Sequence, residues 1–189
     1  MKRSTLFLLL FIVLVSCKQA LPSILDKFIE TKDKMAVPFP NTNPISEQDL
    51  DLLMATNEVN EPVYNVAHHY FYGYKKKLNE QFYLLSIKDT YMPTYRFTNY
   101  LTNWEDVYLC IYDVSENKVV SKLRIKSSDP IATFCEEENN IYTLTSDYGL
   151  FLCGGLDCEH IERERKRVTH TYKIIDNHFR LVDNREKKK

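Results

Sequence analysis

Glycine is scarce. The chain has 189 residues and only four glycines, Gly73, Gly149, Gly154 and Gly155. Neither G-x-G-x-x-G nor G-x-x-x-x-G-K-[ST] can be spelled from them, and both loops need glycine so that backbone amides can close on phosphate. This argues against a Rossmann or P-loop nucleotide enzyme. H-E-x-x-H and G-x-S-x-G are absent as well, which removes the common signatures of zinc proteases and serine hydrolases. The longest apolar run, Leu6–Val15, is about half the length that a membrane-spanning helix needs, about 20 residues. A charge excess is also missing. Twenty-five Lys and Arg face 26 Asp and Glu, a formal net charge of −1, so the balance implies neither a nucleic-acid partner nor a strongly acidic one.

What the chain does have is aromatic side chains, 13 Tyr, 10 Phe and one Trp, in a composition 44% hydrophobic and 27% charged. That is a globular composition, and one domain of this size can bury a core without metal or disulfide staples. The N-terminus is the most specific segment. Lys2 and Arg3 precede the apolar run, and Lys18 ends it, the order of an export signal. The run closes on Leu14-Val15-Ser16-Cys17, which resembles the lipobox of bacterial lipoproteins. The resemblance covers residues 1–18. It implies cleavage by signal peptidase II before Cys17, a diacylglycerol thioether on that thiol and an acylated new N-terminus, palmitate being the usual acid. Several acyl chains, at roughly 0.8 kcal/mol per buried CH₂, hold a protein on a membrane effectively permanently. The residues after Cys17 are Lys18-Gln19-Ala20-Leu21, with no inner-membrane retention Asp and no acidic cluster. The expected location is therefore the outer membrane of the cell envelope, facing the periplasm.

Four cysteines remain, Cys110, Cys135, Cys153 and Cys158, and an even count in an exported chain invites disulfides. Cys153-Gly-Gly-Leu-Asp-Cys158 is the best candidate pair, because two glycines let the chain double back. Cys110 and Cys135 are the second candidate, if their strands are neighbours. Zinc held by Cys153, Cys158, His160 and His170 would use the right ligand types, but its spacing is unspecific. No metal and no cofactor is expected.

Domain organisation follows from hydropathy. Residues 1–16 read as the lipoprotein signal peptide, expected to be helical. Leu21, Ile24, Leu25, Phe28 and Ile29 recur at helical spacing and predict a short amphipathic helix over about 22–34. Pro38, Pro40 and Pro44 mark an extended linker, so residues 17–45 read as a lipid-anchored tether. Ser46 and Asp49 form a capping-box pattern for a helix over about 47–56, with Ile45 as staple and Leu50, Leu53 and Met54 facing inward.

From Val63 on the period is two. Strands are expected around 63–74, 82–87, 107–112, 119–125, 141–146, 169–175 and 179–182. Turns are expected at Lys75–Lys77, Ser115–Asn117, Glu136–Asn140 and Asp176-Asn177. The fold class is mainly β: an antiparallel meander over 46–189 forming a curved sheet, a sandwich or an open barrel, preceded by the signal helix and one or two short helices.

No catalytic residue is nominated. His68 and His69 are adjacent and would point to opposite faces of a strand. Lys122, Arg124 and Lys126 share a strand face that could touch anionic lipid or glycan, or simply meet solvent. The irregular stretch Tyr91–Trp104 is rich in aromatics, and Tyr91, Tyr95, Tyr100 and Trp104 form the candidate binding surface. The expected function is a lipid-anchored, non-enzymatic envelope lipoprotein that binds an envelope protein, peptide or glycan, or serves a structural role. An envelope hydrolase without a local motif is the alternative. The membrane, through lipid on Cys17, is the other partner.

Overall fold

The computed structural model describes residues 23–36, 38–39, 42–54, 67–91, 104–127, 132–148 and 166–188. The signal segment and Cys17, Tyr95, Tyr100, Cys153 and Cys158 lie outside the described residues.

Among the described residues nine strands form two sheets. β1 (Ile29–Glu30), β2 (His68–Lys77), β3 (Phe82–Tyr91), β4 (Trp104–Asp113) and β5 (Lys118–Lys126) lie in sequence order in the first. β6 (Ala132–Glu138), β7 (Ile141–Tyr148), β8 (Lys166–Ile175) and β9 (His178–Lys188) form the second, also in order. Every pairing is antiparallel except β1 with β2. The expected antiparallel β fold is therefore present. A bridge from Ser127 to Thr133 leads one sheet into the next.

The first sheet is covered on both faces, as two core clusters show. On its front, Leu85, Ile87, Tyr108, Cys110 and Tyr112 pack with Ile24, Phe28 and Leu53 from the N-terminal segment. On its back, Leu84, Val107, Leu109, Ile111, Leu123 and Ile125 pack with Tyr142 and Leu144 of the second sheet and with Met35 and Phe39. Alternation along one strand thus feeds two cores, which is why β4 reads as a nearly continuous apolar run.

The N-terminal segment departs from the sequence reading. In place of a helix over 22–34 there is one 3₁₀ turn, Ile24–Lys27, capped by Ser23 and Asp26, followed by extended chain from Phe28. A helix rises only 1.5 Å per residue. The chain must carry Phe28 on the front face and Met35 on the back within seven residues, and extended backbone covers that distance. Residues expected to be a tether are part of the body: Ile24, Phe28, Met35 and Phe39 are buried. Pro44 bridges to Phe71, and the Ile45 N–H donates to the Tyr70 carbonyl at 2.9 Å. The single α-helix among the described residues, α1 (Glu47–Met54), starts where its capping box placed it. The Ser46 hydroxyl accepts from the Asp49 N–H at 3.3 Å and donates to its carboxylate at 2.9 Å.

Two further corrections concern strands. Lys75–Lys77 are in β2, and the reversal falls on residues 78–81. Glu136–Glu138 belong to β6, so only Asn139-Asn140 turns, with φ of 51° and 61°. Asp176-Asn177 turns as expected, with φ of 50° and 57°. Asn and Asp tolerate this left-handed region, which a two-residue hairpin requires at both positions. Glycine is not needed, so its scarcity does not impede a meander.

Candidate functional site

Strand register places all the short turns at one end of the body. Residues 78–81, 114–117, 139–140 and 176–177 join β2 to β3, β4 to β5, β6 to β7 and β8 to β9. The connections that lead into β2, from β3 to β4, from β5 to β6 and from β7 to β8 all leave from the other end. That end is set by the rows His68–Tyr91–Trp104 and Tyr148–Lys166–Lys188 and by the Ser127–Thr133 bridge. Tyr95 and Tyr100 fall in the connection between Tyr91 and Trp104. Cys153 and Cys158 fall in the one between β7 and β8.

At the loop-bearing end, the front face of the first sheet carries a compact aromatic and charged corner. His68, Tyr91 and Trp104 are register partners in one row, and Tyr70, Asp89 and Asp106 in the next. The rings meet at centroid distances of 4.9 Å for His68–Tyr91 and 6.1 Å for Tyr91–Trp104. His68 also stacks on Tyr70, at 6.0 Å and 17°. Of the four residues expected to form a binding surface, the structure thus brings Tyr91 and Trp104 together. Tyr91 is buried, and Trp104 is partly exposed.

Two buried carboxylates face each other across β3 and β4. Asp89 and Asp106 are direct register partners, each 2% exposed. Like charges so placed repel, because cross-strand Cβ atoms lie only about 5 Å apart. Each has its own cationic or hydrogen-bonding partner. His68 Nδ1 lies 2.7 Å from Asp89 Oδ2. Arg124 Nη1 donates to Asp106 Oδ2 at 3.4 Å, and the Tyr108 hydroxyl donates to the same oxygen at 3.5 Å. Lys122 lies 5.4 Å from the centre of the Tyr108 ring. The acids hold His68 and Arg124 in place, and those two side chains and Trp104 reach the surface.

The three basic residues of β5 do not share one face: Lys122 and Arg124 lie on the front, and the register shift between Val107 and Tyr108 carries Lys126 to the back. Lys122 is buried, Arg124 binds Asp106, and Lys126 Nζ donates to Glu105 at 2.6 Å. His68 and His69 do point to opposite faces, and only His68 joins the corner. Cys110 and Cys135 are not in a disulfide. The first lies in the front core and the second against the back core, on opposite sides of the first sheet, so no bridge can join them. Among the described residues no three His, Cys, Asp or Glu side chains gather as a metal site, and no helix is long and apolar enough to cross a membrane.

Asp89, Asp106 and Arg124 had no local signature in the sequence. The signal was there only in combination: an acid in each of two strands that pair without a bulge. Comparison with known proteins finds no match to this chain among family models, curated proteins or solved structures.

Proposed function

We propose that this chain is a lipid-anchored lipoprotein of the cell envelope, held by acyl groups on Cys17 in the outer membrane and facing the periplasm, with a binding role. Its body is a two-sheet sandwich, and the loop-bearing end engages an envelope protein, peptide or glycan. The observation that carries the binding role is the sorting of the connections that join successive strands from β2 to β9: turns of two to four residues lie at one end, and the connections from β3 to β4, β5 to β6 and β7 to β8 leave from the other. Connecting segments on a rigid scaffold are where recognition concentrates. The half-exposed corner of Trp104, His68, Tyr70 and Arg124 offers flat rings with polar edges at that same end.

The anchor reading rests on Leu14-Val15-Ser16-Cys17. The described part of the body begins at Ser23, six residues after Cys17. At 3.3–3.6 Å per residue that link spans at most about 20 Å, which would hold the sandwich close to the bilayer. Replacing Cys17 by Ala should abolish acyl labelling and release the protein from membranes. Unchanged labelling and fractionation would sink the anchor. Binding is tested by placing a photo-crosslinker at His69, exposed at the loop end, and at Asn139, exposed at the turn end. Crosslinks in the native membrane should form from His69 and not from Asn139. Equal capture from both would remove the case for a binding end.

A further inference from the structure

A second feature of the loop-bearing end lies on the back of the first sheet, where the two sheets diverge. A cleft of about 180 Å³ opens there. Val107 and Ile125 form its floor, Ala36 and Pro38 of the N-terminal strap one wall, and Phe134 and Cys135 of β6 the other. Phe134 is 63% exposed, the most exposed of the large apolar side chains among the described residues. The Cys135 thiol is pushed up to about 12, first by burial and then by the Glu137 and Glu136 carboxylates. At neutral pH it is an uncharged, unreactive lining group.

The size of the cleft selects its occupant. Pockets that enclose drug-sized molecules run to roughly 300–1,000 Å³, whereas an apolar cavity of roughly 150 Å³ takes a single benzene. This cleft therefore accepts one ring or one branched aliphatic group. Its mouth is polar. The Lys126 ammonium and the Glu105 carboxylate, 2.6 Å apart, are 45% and 30% exposed. Together they present a donor and an acceptor side by side. A peptide group beside an inserted side chain offers the complementary C=O and N–H. A bare hydrocarbon has nothing for that rim, and a sugar would leave the floor unfilled.

We propose that this cleft is a socket for one leucine- or phenylalanine-sized side chain, presented by a peptide segment of a partner protein. Phe134 supplies an apolar shelf at its lip, and Lys126 and Glu105 engage the flanking backbone. This is the arrangement of an interface anchor, in which one buried side chain carries most of the affinity and its surroundings exclude water. The inference rests on the binding role proposed above and narrows its partner from protein, peptide or glycan to a polypeptide. It does not depend on the lipid anchor.

The test is a titration of the full chain as isolated from its cells, followed by ¹⁵N amide shifts. The probes are N-acetyl-phenylalanine amide, N-acetyl-leucine amide, N-acetyl-serine amide and toluene. The phenylalanine or leucine amide should saturate shifts at Val107, Ile125, Phe134 and Cys135, at least ten-fold more tightly than the serine amide. Lys126→Ala should weaken both apolar amides several-fold and leave toluene unchanged. Ala36→Phe and Cys135→Leu fill the socket from opposite walls, and each should reduce amide binding ten-fold or more. Melting curves show which of the two keeps the fold, and that variant decides. Toluene binding without amide binding would overturn the proposal in favour of a free apolar ligand, and so would equal or absent shifts for all three amides. A chain that fails this titration yet still crosslinks through His69 loses the socket and keeps the binding role.

Discussion

Asp49 fastens the N-terminal layer to the sheet. Its carboxylate accepts from the Lys27 ammonium on the 3₁₀ turn and from the Tyr72 hydroxyl on β2. It also accepts from the Ser46 hydroxyl at the start of its own helix. Burial by itself would raise this carboxyl, but the bonds from Lys27, Tyr72 and Ser46 outweigh it and hold the group below the usual carboxylate range. A folded-state value lower than the unfolded one means that ionised Asp49 stabilises the native chain. That stability is fully present above the unfolded value of about 3.9, and is lost as pH falls through the folded value. Asp49→Asn should cost about 1–3 kcal/mol at pH 7, the range for leaving buried hydrogen-bonding groups poorly matched. Denaturant melts from pH 7 down to pH 2 check it: the wild type should lose stability below about pH 4, and the variant should show a flatter curve there. Half of this node was legible. Ser46 and Asp49 are three residues apart and make a local pattern, whereas Lys27 and Tyr72 lie 22 and 23 residues from Asp49 and come to it only through tertiary packing.

At the scale of elements, what could be read was period, and what could not was the use of a residue that breaks it. The strands β5 and β7 alternate, while β3 and β4 read as nearly continuous apolar runs; all four include the residues expected to be strands, and β3 runs on to Tyr91 and β4 begins already at Trp104. β6 was not expected, because Glu136-Glu137-Glu138 looks like a solvated turn. Yet Glu137 points inward and accepts the Met35 and Ala36 amides at 2.6 and 3.0 Å, so the acid run includes the clamp of the strap. The lysines at 75–77 mislead in the same way, since β2 runs through them along a sheet edge that β1 pairs only at Tyr74 and Lys75. Gly73 shows the opposite case, a residue whose smallness the fold uses. It sits in the irregularity of β2 between Tyr72 and Lys75, and a Cβ there would lie 2.4 Å from Ser86 Oγ and 2.6 Å from Phe39 Cζ. Neither neighbour can step aside freely: Ser86 accepts from the Tyr74 N–H at 2.7 Å, and Phe39 is wedged beneath the Lys88 ammonium. Gly73→Ala should therefore destabilise by about 1–3 kcal/mol through overpacking. Thermal unfolding checks it, and the double variant Gly73→Ala, Phe39→Leu should lose less than the two single changes add up to.

At the scale of the molecule the question is where the folded body begins, because prolines and a weak helix pattern made residues 17–45 look separable. Packing argues otherwise. Ile24 and Phe28 close the front core, and Met35 and Phe39 close the back one. Each such side chain contributes about 1.5–3 kcal/mol on burial. Four of them together reach about 6–12 kcal/mol, comparable with the whole stability of an ordinary domain, about 5–15 kcal/mol. The strap thus belongs to the same cooperative unit as the sheets, and it reaches both faces of the first sheet from one edge. A chain starting at Ser23 should unfold in a single cooperative transition, with a midpoint within a few degrees of the full-length protein. A chain starting at Ile45 keeps α1 and every strand except β1, yet it should show no cooperative transition and should bind a hydrophobic dye. The two melts, with near-ultraviolet circular dichroism to report on the packed tyrosines, check it. A cooperative native-like melt from the shorter chain would mean that the strap is a passenger and that the domain begins at α1.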